Sequence, residues 1–163
     1  MKKFLVIGDP IEHSLSPKLH NYWFKQNNVD AVYEKKKVNE LELKDIVSRV
    51  RKNEIFGVNV TVPYKSKIIK YLDLLSDDAS ATQSVNTIFK KDNKILGFNT
   101  DVDGFEINSP FKSITLSAPN TNLSYTLELT LFAFNSARFL EIISGVAPSA
   151  IKLSLIGSSS TFD

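Results

Sequence analysis

The chain reads as an α/β layered domain with a mostly parallel sheet flanked by helices. Short apolar and β-branched runs alternate with segments of helical period through the first hundred residues, the signature of strand–helix–strand units. The first of these runs, residues 3–8, is apolar without alternation, as befits a parallel strand covered on both faces. The 163 residues, 42% hydrophobic and 23% charged, are enough for one ordinary domain with a core of its own.

Taken in order, residues 3–8 predict a first strand. Residues 14–27 predict a helix, with Ser16 as N-cap and Pro17 at the first helical position. Leu19, Tyr22, Trp23 and Gln26 are expected to share one side of it. Residues 31–38 read as a second strand. Leu43, Ile46, Val47 and Val50 recur at helical spacing. Residues 56–62 alternate like a strand, and Ile68, Ile69, Leu72 and Leu75 mark a further helix. Residues 85–89 and 95–99 form a hairpin turning at Asp92-Asn93. A short helix begins near Asp101. No internal repeat is visible.

Composition excludes several classes. A net charge of +2 gives no strong attraction to nucleic acid or to an anionic membrane. With no cysteine there are no disulfides, thiolate metal sites or cysteine nucleophiles. A cytoplasmic location is the simplest expectation. The apolar start is too short for a signal peptide and meets Asp9, Glu12 and His13 at once. No stretch reaches the ~18 apolar residues of a membrane span.

The pattern breaks near Glu106. Only six of the 38 charged residues lie beyond it: Lys112, Glu128, Arg138, Glu141, Lys152 and Asp163. Residues 1–106 are expected to be one domain, and 107–163 an atypical Ser/Thr-rich tail. Its apolar residues 127–134 fit a strand or a buried helix equally.

Four short motifs could carry chemistry. Ser14-Leu15-Ser16-Pro17 sets two hydroxyls beside a helix start, where free N–H groups and the helix dipole suit a small carboxylate. The simpler reading is an N-cap. In Asn59-Val60-Thr61-Val62-Pro63-Tyr64-Lys65, Asn59 and Thr61 share one strand face, opposite Val58, Val60 and Val62. Lys65 follows the strand's carboxyl end, where ligand sites of open α/β sheets gather; alone it would be a surface lysine. Asn86, in Ser84-Val85-Asn86-Thr87-Ile88, is a polar contact at a strand start or a turn residue. In Gly97-Phe98-Asn99-Thr100-Asp101-Val102-Asp103-Gly104-Phe105, Asp101 caps the next helix or faces the same pocket as Lys65. Asp103 is also a candidate cap. The acidic pair lacks the further oxygen ligands of a calcium loop, and no metal site is expected.

Together and in this order, the four motifs resemble the shikimate dehydrogenases. The hallmarks of that family are SLSP, NVTVPxK, VNT and GxNTDxxGF, and they stand here at residues 14–17, 59–65, 85–87 and 97–105. Gln83-Ser84 precedes Val85 where many relatives have Gly-Ala. The resemblance covers residues 1 to about 106. It implies an NADP-dependent oxidoreductase of aromatic amino-acid biosynthesis that interconverts shikimate and 3-dehydroshikimate. It further implies that Ser14 and Ser16 bind the carboxylate, that Asn59, Thr61, Asn86 and Asp101 bind ring hydroxyls, and that Lys65 and Asp101 are the catalytic pair. Family members continue into an NADP-binding Rossmann domain. It is expected to be absent or incomplete here, because residues 144–150 offer only Gly145 where a dinucleotide turn needs three glycines. The tail is therefore expected to be a truncated or frame-shifted remnant, and the chain inactive alone. The alternative expectations are a non-catalytic shikimate- or quinate-binding module, or a remnant without a ligand.

Overall fold

The computed structural model of the protein describes residues 1–102. Six strands and three α-helices follow in the order β1 (Lys2–Gly8), α1 (Ser16–Gln26), β2 (Ala31–Lys37), α2 (Leu43–Arg51), β3 (Gly57–Val60), β4 (Leu74–Leu75), α3 (Asp77–Thr82), β5 (Thr87–Lys91) and β6 (Lys94–Phe98). The strands form one sheet in the order β2-β1-β3-β5-β6-β4. The expected α/β class holds. The pairs β1/β2, β1/β3 and β4/β6 are parallel, while β3/β5 and β5/β6 are antiparallel. The expected boundary near Glu106, the tail, Asp103 and the turn at Gly145 lie outside the described residues.

β1 explains the layering. Its alternate side chains serve two different cores, as the period of a strand dictates. Leu5 and Ile7 join an aliphatic cluster with Leu43, Ile46, Val47 and Val50 of α2 and with Val58, Val60 and Ile88. Phe4 and Val6 join Ile11, Phe24 of α1 and Tyr33 of β2 on the other face. Asn59, between Val58 and Val60, falls on that second face, where the Tyr33 hydroxyl meets it.

Most of the expected elements form. All four apolar positions of α2 are buried. The hairpin turns at Asp92 and Asn93, whose φ values of 48° and 62° suit the type I′ geometry that matches strand twist. Three expectations need correction. The stretch 68–75 is not a helix. Ile69–Tyr71 is one 3₁₀ turn, Leu72 is extended, and Leu74–Leu75 pairs with β6. Asp73 ties this segment down by accepting the Ile95 N–H at 2.6 Å and both Arg51 guanidinium nitrogens at 2.8 and 3.0 Å. Tertiary pairing outweighs helical spacing there.

The buried face of α1 is Ser16, His20, Trp23 and Phe24, and Tyr22 is exposed. The polar label on His20 hid the true stripe. Finally, Val62 is exposed, because the strand ends at Val60 and its alternation stops there. The helix α3 was not anticipated. Ser76 caps it, and Gln83 closes it at φ 50°, a left-handed position that favours glycine. That is the position where many relatives carry the Gly of Gly-Ala.

Candidate active site

A cavity of about 350 Å³ opens at the carboxyl ends of β1 and β3, the customary place for a ligand in an open α/β sheet. Ser14, Ser16, Asn59, Thr61, Lys65, Asn86 and Asp101 all line it. β5 runs antiparallel to β3, so the start of β5 and the end of β6 arrive at the same edge and bring Asn86 and Asp101 there.

Gly8 sets how tightly β1 and β3 can converge at this edge. A Cβ at that position would stand 2.5 Å from Thr61 Cγ2 and 3.0 Å from the Val62 carbonyl. The loop that follows is braced from the neighbouring strand, where Lys37 pairs with Asp9 at 2.9 Å and Lys35 donates to the Glu12 carbonyl. The Glu12 carboxyl lies below its usual range, held there by backbone N–H groups of its own residue and of Ile11.

Ser14 and Ser16 meet at the start of α1. The Ser14 hydroxyl donates to Ser16 Oγ at 3.1 Å. Ser16 is buried, and α1 shows no side-chain cap, its N-cap position being Leu15. The capping role expected of Ser16 is thus replaced by a place in the pocket wall. Asp101 is likewise no cap. Its own N–H donates to Asn99 Oδ1 at 3.1 Å, so Asn99 caps the turn that begins at Thr100. That leaves the Asp101 carboxylate for Lys65, whose Nζ lies 2.6 Å from Oδ2, with both side chains about one-third exposed.

Asn86 and Asn59 are held firmly. Asn86 Nδ2 donates to Thr100 Oγ1 at 3.0 Å, and its Oδ1 accepts the Thr100 N–H at 3.0 Å. Asn59 Nδ2 donates to the Asn86 carbonyl and to Thr87 Oγ1, at 3.2 and 3.1 Å. Its Oδ1 accepts the Tyr33 hydroxyl at 2.6 Å.

Sequence reasoning missed His13, His20 and Tyr33. His13 and His20 line the cavity, and His20 stacks on Tyr33 with ring centroids 4.1 Å apart and planes 7° apart. Burial pushes the His20 imidazole down to about 3, so it stays neutral through the physiological range. The signal for it was present: His20 lies one helical turn beyond Ser16, on the same face.

A sequence profile of the shikimate dehydrogenase substrate binding domain matches residues 6–88. The NADP(+) shikimate dehydrogenase of Pelagibacter ubique is 56% identical over 106 residues, covering 65% of this chain and 40% of that protein. The enzyme of the same name from Nitrosopumilus maritimus is 38% identical over 151 residues, which is 93% of this chain and 52% of the relative. Among solved structures, the Listeria monocytogenes shikimate 5-dehydrogenase in complex with shikimate and NAD superposes with a TM-score of 0.65 at 38% identity. It spans 69% of this chain and 39% of the other. The chain thus spans about half the length, or less, of the relatives it matches. Among the described residues no helix is long and apolar enough to cross a membrane. The profile covers half of the chain and at least one residue of each of the four motifs lines the cavity, so the chain belongs to the shikimate dehydrogenase family through that family's substrate binding domain.

Proposed function

We propose that the cavity binds shikimate or 3-dehydroshikimate, and that Lys65 and Asp101 handle the proton as one is converted into the other with NADP. A single observation carries this reading. The Lys65–Asp101 ion pair stands in the wall of the same cavity that gathers Ser14, Ser16, Asn59, Thr61 and Asn86. A carboxylate fits the Ser14 and Ser16 hydroxyls, where the start of the eleven-residue helix α1 adds a positive dipole end. Ring hydroxyls then fall against Asn59, Thr61, Asn86 and Asp101.

In this reading Asp101 accepts a hydrogen bond from the reacting hydroxyl and orients it. The Lys65 ammonium donates a proton to the ketone oxygen in the reducing direction, and the same nitrogen takes that proton back in oxidation. Bound NADP would supply hydride chemistry, as the names of the relatives imply. The described residues do not form its cradle. β1 ends in a single glycine, and the space beside Gly8 is filled by Thr61 and Val62. These residues therefore supply the substrate side of the reaction. A cytoplasmic location is part of the same proposal.

The test is calorimetry or ligand-observed NMR with shikimate. The wild-type chain is expected to bind, and the Ser16→Ala, Lys65→Ala double variant to lose the signal. An unchanged signal in the double variant would show the pocket assignment to be wrong. Where NADPH formation is measurable, Lys65→Ala should lower it by roughly 10²–10⁴-fold, the usual worth of a positioned acid–base group. Binding with no Lys65-dependent turnover would favour the binding-module reading.

A further inference from the structure

The donor and acceptor pattern at Asn59 follows from counting protons, starting at Asn86. A backbone N–H can only donate, so the Asn86 atom that meets the Thr100 N–H at 3.0 Å is its oxygen, Oδ1. Thr87 Oγ1 lies 3.1 Å from that same oxygen, and an amide oxygen cannot donate. Thr87 therefore spends its single proton there. Toward the Asn59 side chain, 3.1 Å away on the facing strand, Thr87 can then only accept. The Asn86 carbonyl, 3.2 Å from the same Asn59 atom, can only accept as well. Two independent partners thus identify that atom as Nδ2, and between them they use both of its hydrogens. Oδ1 is left for the Tyr33 hydroxyl, which donates to it at 2.6 Å.

Asn59 lines the cavity. With both hydrogens spent and one lone pair of Oδ1 taken, it has one acceptor position left to offer a ligand. We propose that Tyr33 and Thr87 are positioning residues that make Asn59 an acceptor-only contact, so that the cavity selects a hydroxyl donor at that point and disfavours any group without a proton. This rests on the function proposed above and deepens it by naming what enforces its hydroxyl specificity. An amide free to flip would take a ketone, an ether or a hydroxyl alike. This one cannot flip without setting Oδ1 against the Asn86 carbonyl. The ligand group at Asn59 must keep its proton throughout, so it is a hydroxyl that the reaction leaves unchanged.

Both positioning residues are themselves fixed. Thr87 is fully buried and stands directly opposite Asn59 in the β3/β5 register. The Tyr33 ring is buried and stacked on His20. Its backbone is clamped by Asn21, which accepts the Tyr33 N–H and donates to the Tyr33 carbonyl, each at 2.8 Å. Tyr33→Phe keeps the stack and the clamp and removes only the hydroxyl.

The test is affinity by calorimetry for shikimate and for two deoxyfluoro analogues, each with one non-reacting ring hydroxyl replaced by fluorine, which cannot donate. One of the two is expected to bind wild type at least about tenfold more weakly than shikimate, the scale of one lost hydrogen bond. Tyr33→Phe is expected to weaken shikimate about fivefold and to leave that analogue within about twofold, because the analogue never bonded to Asn59. A merely structural tyrosine would weaken both ligands alike. Thr87→Val should act as Tyr33→Phe does, and Thr87→Ser, which keeps a hydroxyl, should restore the discrimination. A second measurement needs no variant. The Asn59 side-chain NH₂ of the wild type, identified by its NOE to Thr87, should exchange slowly with water, with and without shikimate. Analogues that both bind as well as shikimate, equal losses for both ligands in Tyr33→Phe, or fast exchange of the Asn59 hydrogens would overturn the proposal and leave the proposed function standing. A wild-type chain that does not bind shikimate would overturn both.

Discussion

The two faces of the sheet are built from different chemistry. Against α2 the core is aliphatic apart from Tyr64, whose hydroxyl donates to the Val38 carbonyl: Leu5, Ile7, Leu43, Ile46, Val47, Val50, Val58, Val60 and Ile88. Against α1 the packing is aromatic and partly polar, with Phe4, Phe24, Tyr33 and His20 beside Asn59 and Ser16. The first face mainly stabilises, and of the residues just named on it only Val60 also lines the cavity. The second must be apolar enough to exclude water, yet it must hold polar groups in fixed directions at the pocket floor. Each buried polar group there needs a partner, since leaving one without costs on the order of 1–3 kcal/mol. The division predicts that changes on the α2 face alter stability alone, while changes on the α1 face alter both stability and ligand response.

The largest expected effect tests the first half of that statement. Ile46 is fully buried in the aliphatic cluster. Ile46→Ala should cost about 3 kcal/mol, within the range of a large-to-small core change. The shikimate affinity of the folded protein should stay within twofold of wild type. Urea melts and calorimetry below the transition would measure the two quantities. An affinity loss of tenfold or more would show that the faces are not separable.

The α1 face should carry a pH signature that the α2 face cannot. His20 is 1% exposed, and burial pushes its imidazole from 6.5 down to about 3. The unfolded chain therefore binds a proton between those limits that the folded chain does not. Stability is complete above pH ~6.5 and falls as the pH drops toward 3, at about 1.4 kcal/mol per pH unit. Between pH 6.5 and 4.5 the loss should come to about 2 kcal/mol, since the unfolded imidazole is only half protonated at the upper limit. The shifted carboxyl groups Glu12, Glu40, Glu42 and Asp73 start from 4.5 or below and move lower, so they act beneath this window. His20→Phe retains an aromatic ring against Tyr33 and should flatten the slope. Equal slopes in wild type and variant would refute the assignment.

How far each face could be read from the sequence follows from the same contrast. The α2 face was legible because aliphatic side chains at helical and strand periods have one reading; Leu43, Ile46, Val47 and Val50 fell where spacing put them. The candidate site was legible through its motifs, and all seven expected residues line one cavity. What stayed hidden were the groups whose residue type misleads. His20 reads as surface and is core. Tyr33 reads as one more apolar strand position, yet its hydroxyl meets a residue 26 positions away. Ser16 and Asp101 read as caps because a hydroxyl or carboxylate at a helix start usually is one. Here Leu15 and Asn99 occupy those positions, which leaves both side chains to the cavity. The stretch 68–75 misled for the opposite reason: its apolar spacing fits a helix, but a strand partner in β6 and the Asp73 tether decided it.

The smallest expected effect sharpens the comparison most, because it touches the α1 face without touching the pocket. Among the described residues β2 is an edge strand, paired only with β1. Exposed edges invite pairing with other chains, and here the Asn21 side chain acts as a short substitute strand, accepting the Tyr33 N–H and donating to the Tyr33 carbonyl. Asn21→Ala removes both bonds. Because these backbone groups are near the edge, water can replace part of what is lost, and the cost should be about 1 kcal/mol, near the low end for two hydrogen bonds. The functional consequence is more specific. Tyr33 loses its backbone clamp but keeps its hydroxyl, so shikimate should still bind, with affinity reduced about threefold as the phenol's alignment with Asn59 loosens. Hydrogen exchange should rise at the Tyr33 amide, and amides in α2 should be unaffected. If Asn21→Ala instead left the Tyr33 amide protected, the clamp would not be what holds β2's edge, and the positioning of Tyr33 would have to come from the His20 stack alone.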